Sequence, residues 1–108
     1  MAQGVFVIVD DGKVDYSNEV DVCHLLATNG ITEVDIYTNR GFYFRQLSTE
    51  VFVGRIPCII KTTQSEATGN WDYEEVADGS GNYYKIVFNP GFHIMAGDPI
   101  TIKYHKTI

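Results

Sequence analysis

The amino-acid sequence predicts a mainly β fold, in which a single domain over residues 1–108 forms an antiparallel β-sandwich or a small barrel of about seven to eight strands. Three observations predict this class. Seven Tyr and six Phe accompany many Val, Ile and Thr residues, and such side chains fit the pleated, half-buried surface of a sheet. Several short segments alternate apolar and polar residues with the period of a strand. Gly, Pro, Asn and Asp separate these segments at short intervals, as they do in sandwiches and barrels.

The first predicted strand is the apolar run from Val5 to Val9, which Asp10-Asp11-Gly12 closes as a turn. Asp-Gly is a strong turn signal. A short apolar run with a turn at its end is typical of a buried strand. We therefore expect the chain to open with a buried or central strand.

Residues 18–28 are ambiguous. Ser17 or Asn18 can cap the N-terminus of a helix, and Asn29-Gly30 is a good C-terminal stop. A strand is the alternative, because Val residues alternate at the start of the segment. The sequence favours one short helix here, since capping residues stand at both ends.

Two hairpins are predicted further along the chain. The segments "ITEVDIYT" and "FYFRQL" are joined by a tight turn at 39–41, and "WDYEEV" and "NYYKIVF" flank a longer tip at 77–81. Gly54 and Pro57 interrupt the apolar run between them, so a bulge or an edge position is expected there. Residues 64–70 are polar and are interpreted as a loop.

The last segment alternates most cleanly. One face is predicted to carry Ile100, Ile102, Tyr104 and Lys106. The apolar pattern continues to the last residue, Ile108. We expect this strand either to lie inside a sheet or to pair with another chain, because a solvated apolar edge invites unwanted pairing.

The net charge of −6 lies in the first third of the chain. Residues 1–39 hold seven acids and one base, whereas residues 40–108 hold seven of each sign. Nucleic-acid binders and proteins that bind anionic membranes need a basic face, so we expect neither partner. The acidic third is interpreted as a solvated face. The alternative is a docking surface for a basic partner or a cation, with Asp15, Glu19 and Asp21 as candidate contacts.

The N-terminus lacks the basic and long apolar regions of a signal peptide. No apolar run approaches the roughly 20 residues that span a bilayer. We therefore expect a cytoplasmic protein without a transmembrane segment. Cys23 and Cys58 are expected to be reduced thiols in that compartment.

No residue pattern in the sequence indicates a catalytic or metal-binding site. Asp78, Ser80 and Asn82 have the spacing that opens an EF-hand loop, but the Gly and Glu required at its sixth and twelfth positions are missing. The tip is therefore interpreted as a hairpin turn. The Cys and His residues lack metal-ligand spacing, and no GxSxG elbow is present. We expect no cofactor, no metal and no enzymatic activity.

Aromatic residues supply the other candidate contacts. Trp71 is the only Trp and lies between Asn70 and Asp72 at a loop-to-strand transition. Such a group can stack on a sugar ring or form the centre of a protein interface, and the alternative is a Trp that closes one end of the core. Each tyrosine has the same two interpretations, an exposed contact residue or a residue of the core. The aromatic candidates are Trp71, Tyr73, Tyr83, Tyr84 and Tyr104.

The segment "MAGDPITIKY" resembles the last segment of many β-sandwich modules, in which a turn precedes an alternating strand that ends in Tyr. A small, acidic β-sandwich chain of this kind also resembles the virion structural proteins of tailed bacteriophages, in particular head decoration or auxiliary capsid proteins and small tail-associated proteins. The resemblance implies a non-enzymatic virion component that assembles in the host cytoplasm, binds capsid or tail proteins and often forms a homo-oligomer. The alternative is a small carbohydrate-binding module that uses Trp71.

Overall fold

The computed structural model describes residues 19–107, together with two short strands at 7–8 and 14–15. In chain order the described elements are β1 (Val7–Ile8), β2 (Val14–Asp15), β3 (Val20–Leu26), β4 (Glu33–Asp35), α1 (Ile36–Arg40), β5 (Glu50–Val53), β6 (Ile56–Pro57), α2 (Thr63–Thr68), β7 (Tyr73–Ala77), β8 (Tyr83–Phe88) and β9 (Pro99–His105). Strands β3 to β9 form two antiparallel sheets, and β1 and β2 form a separate antiparallel pair. The predicted mainly β, sandwich-like fold is confirmed. The turn predicted at 10–12 lies outside the described residues.

The larger sheet has the order β3-β9-β5-β6, so β9 is an interior strand. Ile100, Ile102 and Tyr104 all face the core and are at most 1 % exposed. Thr101 and Lys103 alternate with them on the outer face. The expected interior position of this strand is confirmed, and Ile108 lies outside the described residues.

The helix predicted at 18–28 is wrong, because most of the segment is strand β3. Every residue from Val20 to Leu26 pairs with a residue of β9. Cys23 points into the core, where it is buried. Pairing along a full strand outweighs the local capping signals, which are a weak prior once tertiary contacts form. Gly30 lies within a turn, with φ of 75°, instead of ending a helix.

The hairpin predicted around 39–41 is also wrong. Strand β4 ends after three residues, and α1 follows immediately. Asp35 caps this helix by accepting a hydrogen bond from the backbone N–H of Thr38 at 2.8 Å. Gly41 ends it in the left-handed region, with φ of 80°. Caps at both ends of a five-residue segment here override the alternating pattern.

The polar segment predicted as a loop contains helix α2. Thr62 and Ser65 form a capping box, in which each side chain bonds the other residue's backbone N–H. Gly69 ends the helix with φ of 72°. The usual sequence signature of a capping box has Glu or Gln in the place of Ser65, so the sequence carried only part of this signal.

The second predicted hairpin is confirmed as β7 and β8, which pair in the smaller sheet of order β4-β8-β7. At its tip the Asp78 carboxylate accepts hydrogen bonds from the backbone N–H groups of Ser80 and Asn82. The register shifts by one residue between Val76 and Ala77, which leaves Tyr84 without a partner on β7. This irregularity is a β-bulge.

Phe44 joins the two sheets. Its main chain bridges Tyr83 at the start of β8 and Lys106 beyond the end of β9. Its N–H donates to the Tyr83 carbonyl at 3.0 Å, and the next N–H, of Arg45, donates to the His105 carbonyl at 2.9 Å. The Phe44 ring is 1 % exposed and lies 6.0 Å from the Tyr83 ring and 6.3 Å from the Tyr104 ring. One residue thus connects both sheets and fills the core between them.

Substitution of Phe44 by Ala is expected to lower the free energy of unfolding by about 3 to 4 kcal/mol, because it opens a cavity where the sheets meet. Urea unfolding followed by Trp71 fluorescence measures the change. Phe42→Ala is the matched control: that ring is 38 % exposed, so its loss is expected to cost less than about 1 kcal/mol. Equal losses for the two variants would contradict the proposed role of Phe44.

Candidate interaction surface

Glu19 was a candidate contact in the alternative interpretation of the acidic third, but it is a buried residue with 3 % exposure. Its carboxylate forms an ion pair with the Arg45 guanidinium. A buried carboxylate needs such a partner, because the desolvation of an unpaired charge is costly. Glu19 therefore attaches the chain before β3 to the segment after Phe44, and its carboxylate is not available at the surface.

Asp21 holds three structural elements together. Arg40 of α1 donates from Nε to Oδ2 at 3.0 Å and from Nη2 to Oδ1 at 3.1 Å. The Tyr104 hydroxyl of β9 donates to the same Oδ2 at 2.5 Å. Burial raises the pKa of Asp21, but the hydrogen bonds from Arg40, Tyr104 and the Val22 backbone outweigh this effect and hold the pKa below its usual value. The pKa of Tyr104 is raised, by burial first and by the Asp21 carboxylate second.

The other described acids of the first third are also engaged. Glu33 pairs with Lys85 at 3.2 Å across β4 and β8, and Asp35 caps α1. Asp15 lies in β2, and its side chain is outside the described part of the chain. Within residues 19–39, the negative charge, for which a docking surface was the alternative interpretation, therefore serves intramolecular contacts.

Two of the tyrosines predicted as contacts are core residues instead. Tyr73 and Tyr104 are each 1 % exposed. The Tyr73 hydroxyl lies 3.0 Å from Thr49 Oγ1 and donates to the Thr49 carbonyl at 3.1 Å. Burial raises the pKa of Tyr73 to about 12. Composition alone does not tell which face of a strand a Tyr occupies, and both rings point inward.

Tyr83 and Tyr84 are partly buried and point to opposite faces, and the bulge beside Tyr84 places Tyr83 on the core side. The Tyr83 ring packs 6.0 Å from that of Phe44, on the core side. The Lys85 ammonium lies 5.4 Å from the Tyr84 ring, on the other side of the sheet. Of the predicted tyrosine contacts, Tyr84 is therefore the one that lies toward the surface.

Trp71 is partly buried at the start of β7. The Lys61 ammonium lies 4.9 Å from its ring centroid, a cation–π contact, and the Asn89 side-chain amide donates to the Trp71 carbonyl at 2.8 Å. A groove of about 350 Å³ lies along the residues that precede Trp71 in the chain, between 59 and 70. Hydroxyl and amide side chains line much of this groove: Thr62, Gln64, Ser65, Thr68 and Asn70.

A second groove, of about 360 Å³, lies between the loop after Phe44 and strand β7. Glu75 holds the loop by accepting hydrogen bonds from the N–H of Leu47 at 2.5 Å and from the hydroxyl of Thr49 at 2.5 Å. Leu47 has φ of 59°, in the left-handed region that a non-Gly residue rarely adopts. The hydrogen bonds to the Glu75 carboxylate hold this strained backbone in place, so the carboxylate has a structural role.

The surface feature that the sequence did not identify is strand β3. It lies at the edge of the larger sheet, and no described strand pairs with its outer side. Its outer face carries Val20 at 40 % and Leu26 at 67 % exposure. The stretch "VDVCHLL" has apolar residues on both faces, and this pattern is the sequence signal that could have identified the strand. Reading it as a helix concealed this pattern.

A second group of exposed aromatic residues lies around α1. The rings of Tyr37 and Tyr43 stack with centroids 4.4 Å apart, and the Lys106 ammonium lies 4.5 Å from the Phe42 ring. Tyr37 and Phe42 are exposed. These residues were assigned to hairpin strands from the sequence, so their grouping was not predicted.

Within the described residues, no three His, Cys, Asp or Glu side chains are grouped as a metal site. Cys23 and Cys58 are free thiols, and burial raises the pKa of Cys58 to about 11, so this thiol is protonated at neutral pH. The described helices are all too short to cross a bilayer. Comparisons with protein-family models, with curated proteins and with solved structures found no match to this chain.

Substitution Asp21→Asn is expected to cost about 1 to 2 kcal/mol of unfolding free energy at pH 7, because it weakens charge-assisted hydrogen bonds. The pKa of Asp21 is depressed in the folded state. The stabilisation is therefore fully present above the unfolded pKa of about 4 and is lost as the pH falls through the folded pKa. Urea unfolding of both proteins at pH 7, 5, 4 and 3 measures this. A wild-type advantage that stays constant down to pH 3 would contradict the assignment.

Proposed function

We propose that this chain is a non-enzymatic assembly protein that associates with copies of itself through strand β3. The single observation that carries the proposal is the outer edge of β3, with which no strand of the described residues pairs, beside exposed Val20 and Leu26. An edge strand presents a row of backbone donors and acceptors to another chain. Addition of a strand to such an edge is a common mode of protein association.

The composition of β3 supports this use. Edge strands of monomeric proteins are usually protected by shortness, charged side chains, Pro or a bulge. The one charged side chain of β3 is that of Asp21, which is paired with Arg40 within the fold. With seven residues, β3 is as long as β9, contains neither Lys nor Pro, and pairs with β9 without a register shift. An antiparallel pair of β3 strands about a two-fold axis presents the same surface from both copies, as symmetric dimers require.

The charged groups support a role without catalysis. Glu19, Asp21 and Glu75 are each held by partners within the fold. Groups committed in this way stabilise the structure and are not free to transfer protons. Together with the resemblance in type to small β-sandwich virion proteins, this leads us to propose a structural component of a tailed-bacteriophage virion, in the capsid or the tail, as the biological setting.

The double variant Val20→Lys/Leu26→Lys is expected to block self-association, because charged side chains on an edge oppose strand addition. Size-exclusion chromatography with light scattering is performed over a wide concentration range. The wild-type chain is expected to form a dimer or a higher oligomer, and the variant a monomer. The matched control is Met95→Lys, since Met95 is 74 % exposed but lies in the loop before β9; it is expected to behave as wild type. A wild-type chain that stays monomeric at every concentration would overturn self-association.

Carbohydrate binding is the second candidate function. The observation that favours it is a groove lined by hydroxyl and amide side chains that reaches Asn70, the residue before the partly buried Trp71. Sugars are recognised by an aromatic face together with hydrogen-bonding side chains. Lys61 already lies over the Trp71 ring, so a sugar needs the other ring face or must displace the ammonium. For this reason we rank this function second.

Trp71→Ala is expected to abolish binding on a glycan array if Trp71 is a sugar platform, while the circular dichroism spectrum and the urea midpoint remain close to wild type. Tyr84→Ala, at another partly buried aromatic residue away from the groove, is the control and is expected to retain binding. The carbohydrate hypothesis is rejected if the wild-type chain binds no glycan, or if Trp71→Ala and Tyr84→Ala bind equally well.

A further inference from the structure

Residues 36–43 form an insertion within one edge of the smaller sheet. Asp35 pairs with Lys85 of β8, and Phe44 bridges Tyr83 of the same strand. A single residue, Tyr84, separates these two partners on β8, whereas residues 36 to 43 separate Asp35 from Phe44. The chain thus leaves the sheet after β4, forms α1, and returns to the same strand. We name residues 36–43 the strap.

The strap connects the two sheets on the side where β3 and β4 are edges. Helix α1 contacts β8 of the smaller sheet and β3 of the larger one. Ile36 inserts into the core and is completely buried. At the other end of the helix, the bidentate pair between Arg40 and Asp21 attaches it to β3. The strap therefore covers the core between the two edges.

The helix of the strap has little stability of its own. It has five residues, Ile36–Arg40, whereas isolated helices shorter than about 12 to 15 residues are marginal in water. Ile, Tyr, Thr and Asn are all weaker helix formers than Ala or Leu. Its conformation therefore depends on the two caps, on Ile36 and on the Arg40–Asp21 pair.

We propose that the strap is a latch that opens as a unit while the two sheets stay folded. Opening breaks the Arg40–Asp21 pair, withdraws Ile36 and uncovers the core-facing side of β3. The main-chain bonds of Phe44 to Tyr83 and of Arg45 to His105 lie outside the strap, so they hold the sheets together when it opens. Local opening at a cost below that of global unfolding is the behaviour of cooperative substructures. This inference goes beyond the proposed assembly function and does not depend on it.

Cys23 is a native reporter of the latch. It is buried on the core face of β3, two residues beyond Asp21 and on the same face. Burial raises the pKa of its thiol, and Arg40 of the strap is bonded to Asp21 on the same face. The substitution Cys58→Ser leaves Cys23 as the single thiol of the chain.

The test is the rate of Cys23 labelling by a disulfide reagent, 5,5′-dithiobis(2-nitrobenzoate), in this single-thiol background. Gly41→Ala strains the left-handed cap of the strap, and Arg40→Ala removes the attachment to β3. Each is expected to accelerate labelling at least fivefold without urea, with little further acceleration at low urea concentrations. A weak urea dependence identifies an opening that exposes little surface.

Two matched controls exist in the chain. Gly81→Ala makes the same substitution at φ of 84° in the tip between β7 and β8, and no atom lies within 4 Å of the added Cβ at either glycine. Lys85→Ala removes another ion pair, with Glu33. Both controls are expected to label within twofold of the background protein, because neither residue belongs to the strap.

The free energy of global unfolding of each variant is measured in parallel by Trp71 fluorescence in urea. The proposal is supported if the strap variants label faster than their own loss of global stability accounts for. It is overturned if labelling in every variant tracks global stability with the full urea dependence of unfolding, because Cys23 then becomes accessible only when the whole domain unfolds.

Discussion

The structure depends on one constraint, which is the double pairing of Phe44. Two small antiparallel sheets need a connection that fixes their relative position, and here one main-chain segment bonds to β8 on one side and to the extension of β9 on the other. The ring of the same residue fills the core between Tyr83 and Tyr104. Backbone hydrogen bonds and apolar burial therefore act at the same position, so the sheets cannot shift without losing both. Because the chain must reach this position, it forms the strap before Phe44 and the loop that contains Leu47 after it.

Local signals predicted the elements that depend on local pairing. Strands β7 and β8 are neighbours in sequence and share a Gly-rich tip, so alternation and turn chemistry were sufficient. Strand β9 was recognisable because Ile100 and Ile102 alternate with polar residues. Strand β3 was not, because its partner β9 lies more than 70 residues away and no local pattern reports that pairing. For residues 36–40 the alternating pattern favoured a strand, and only the position of Phe44 explains why the chain leaves the sheet.

Several of the candidate contact residues are engaged inside the fold, for a related reason. The charge count of the first third identified Glu19 and Asp21 as acidic, but the residues that pair with them, Arg45 and Arg40, come 26 and 19 residues later. A sequence shows how many charges a segment holds and not which of them meet. Tyr73 and Tyr104 were chosen for their amphipathic rings, and strand direction decided that both face inward. Tyr84 lies toward the surface because a bulge shifts the register beside it.

The same strand carries the proposed association edge and the attachment of the strap. Asp21 lies within β3, its backbone pairs with Tyr104, and its side chain holds Arg40. A chain that adds to the outer edge of β3 fixes the backbone from which that carboxylate extends. If such a partner binds the closed and open forms of the strap with different affinities, then by linkage the state of the strap changes the affinity for the partner by the same factor. Association at the edge and opening of the latch are in that case one coupled equilibrium, with Asp21 as the residue through which the two are joined.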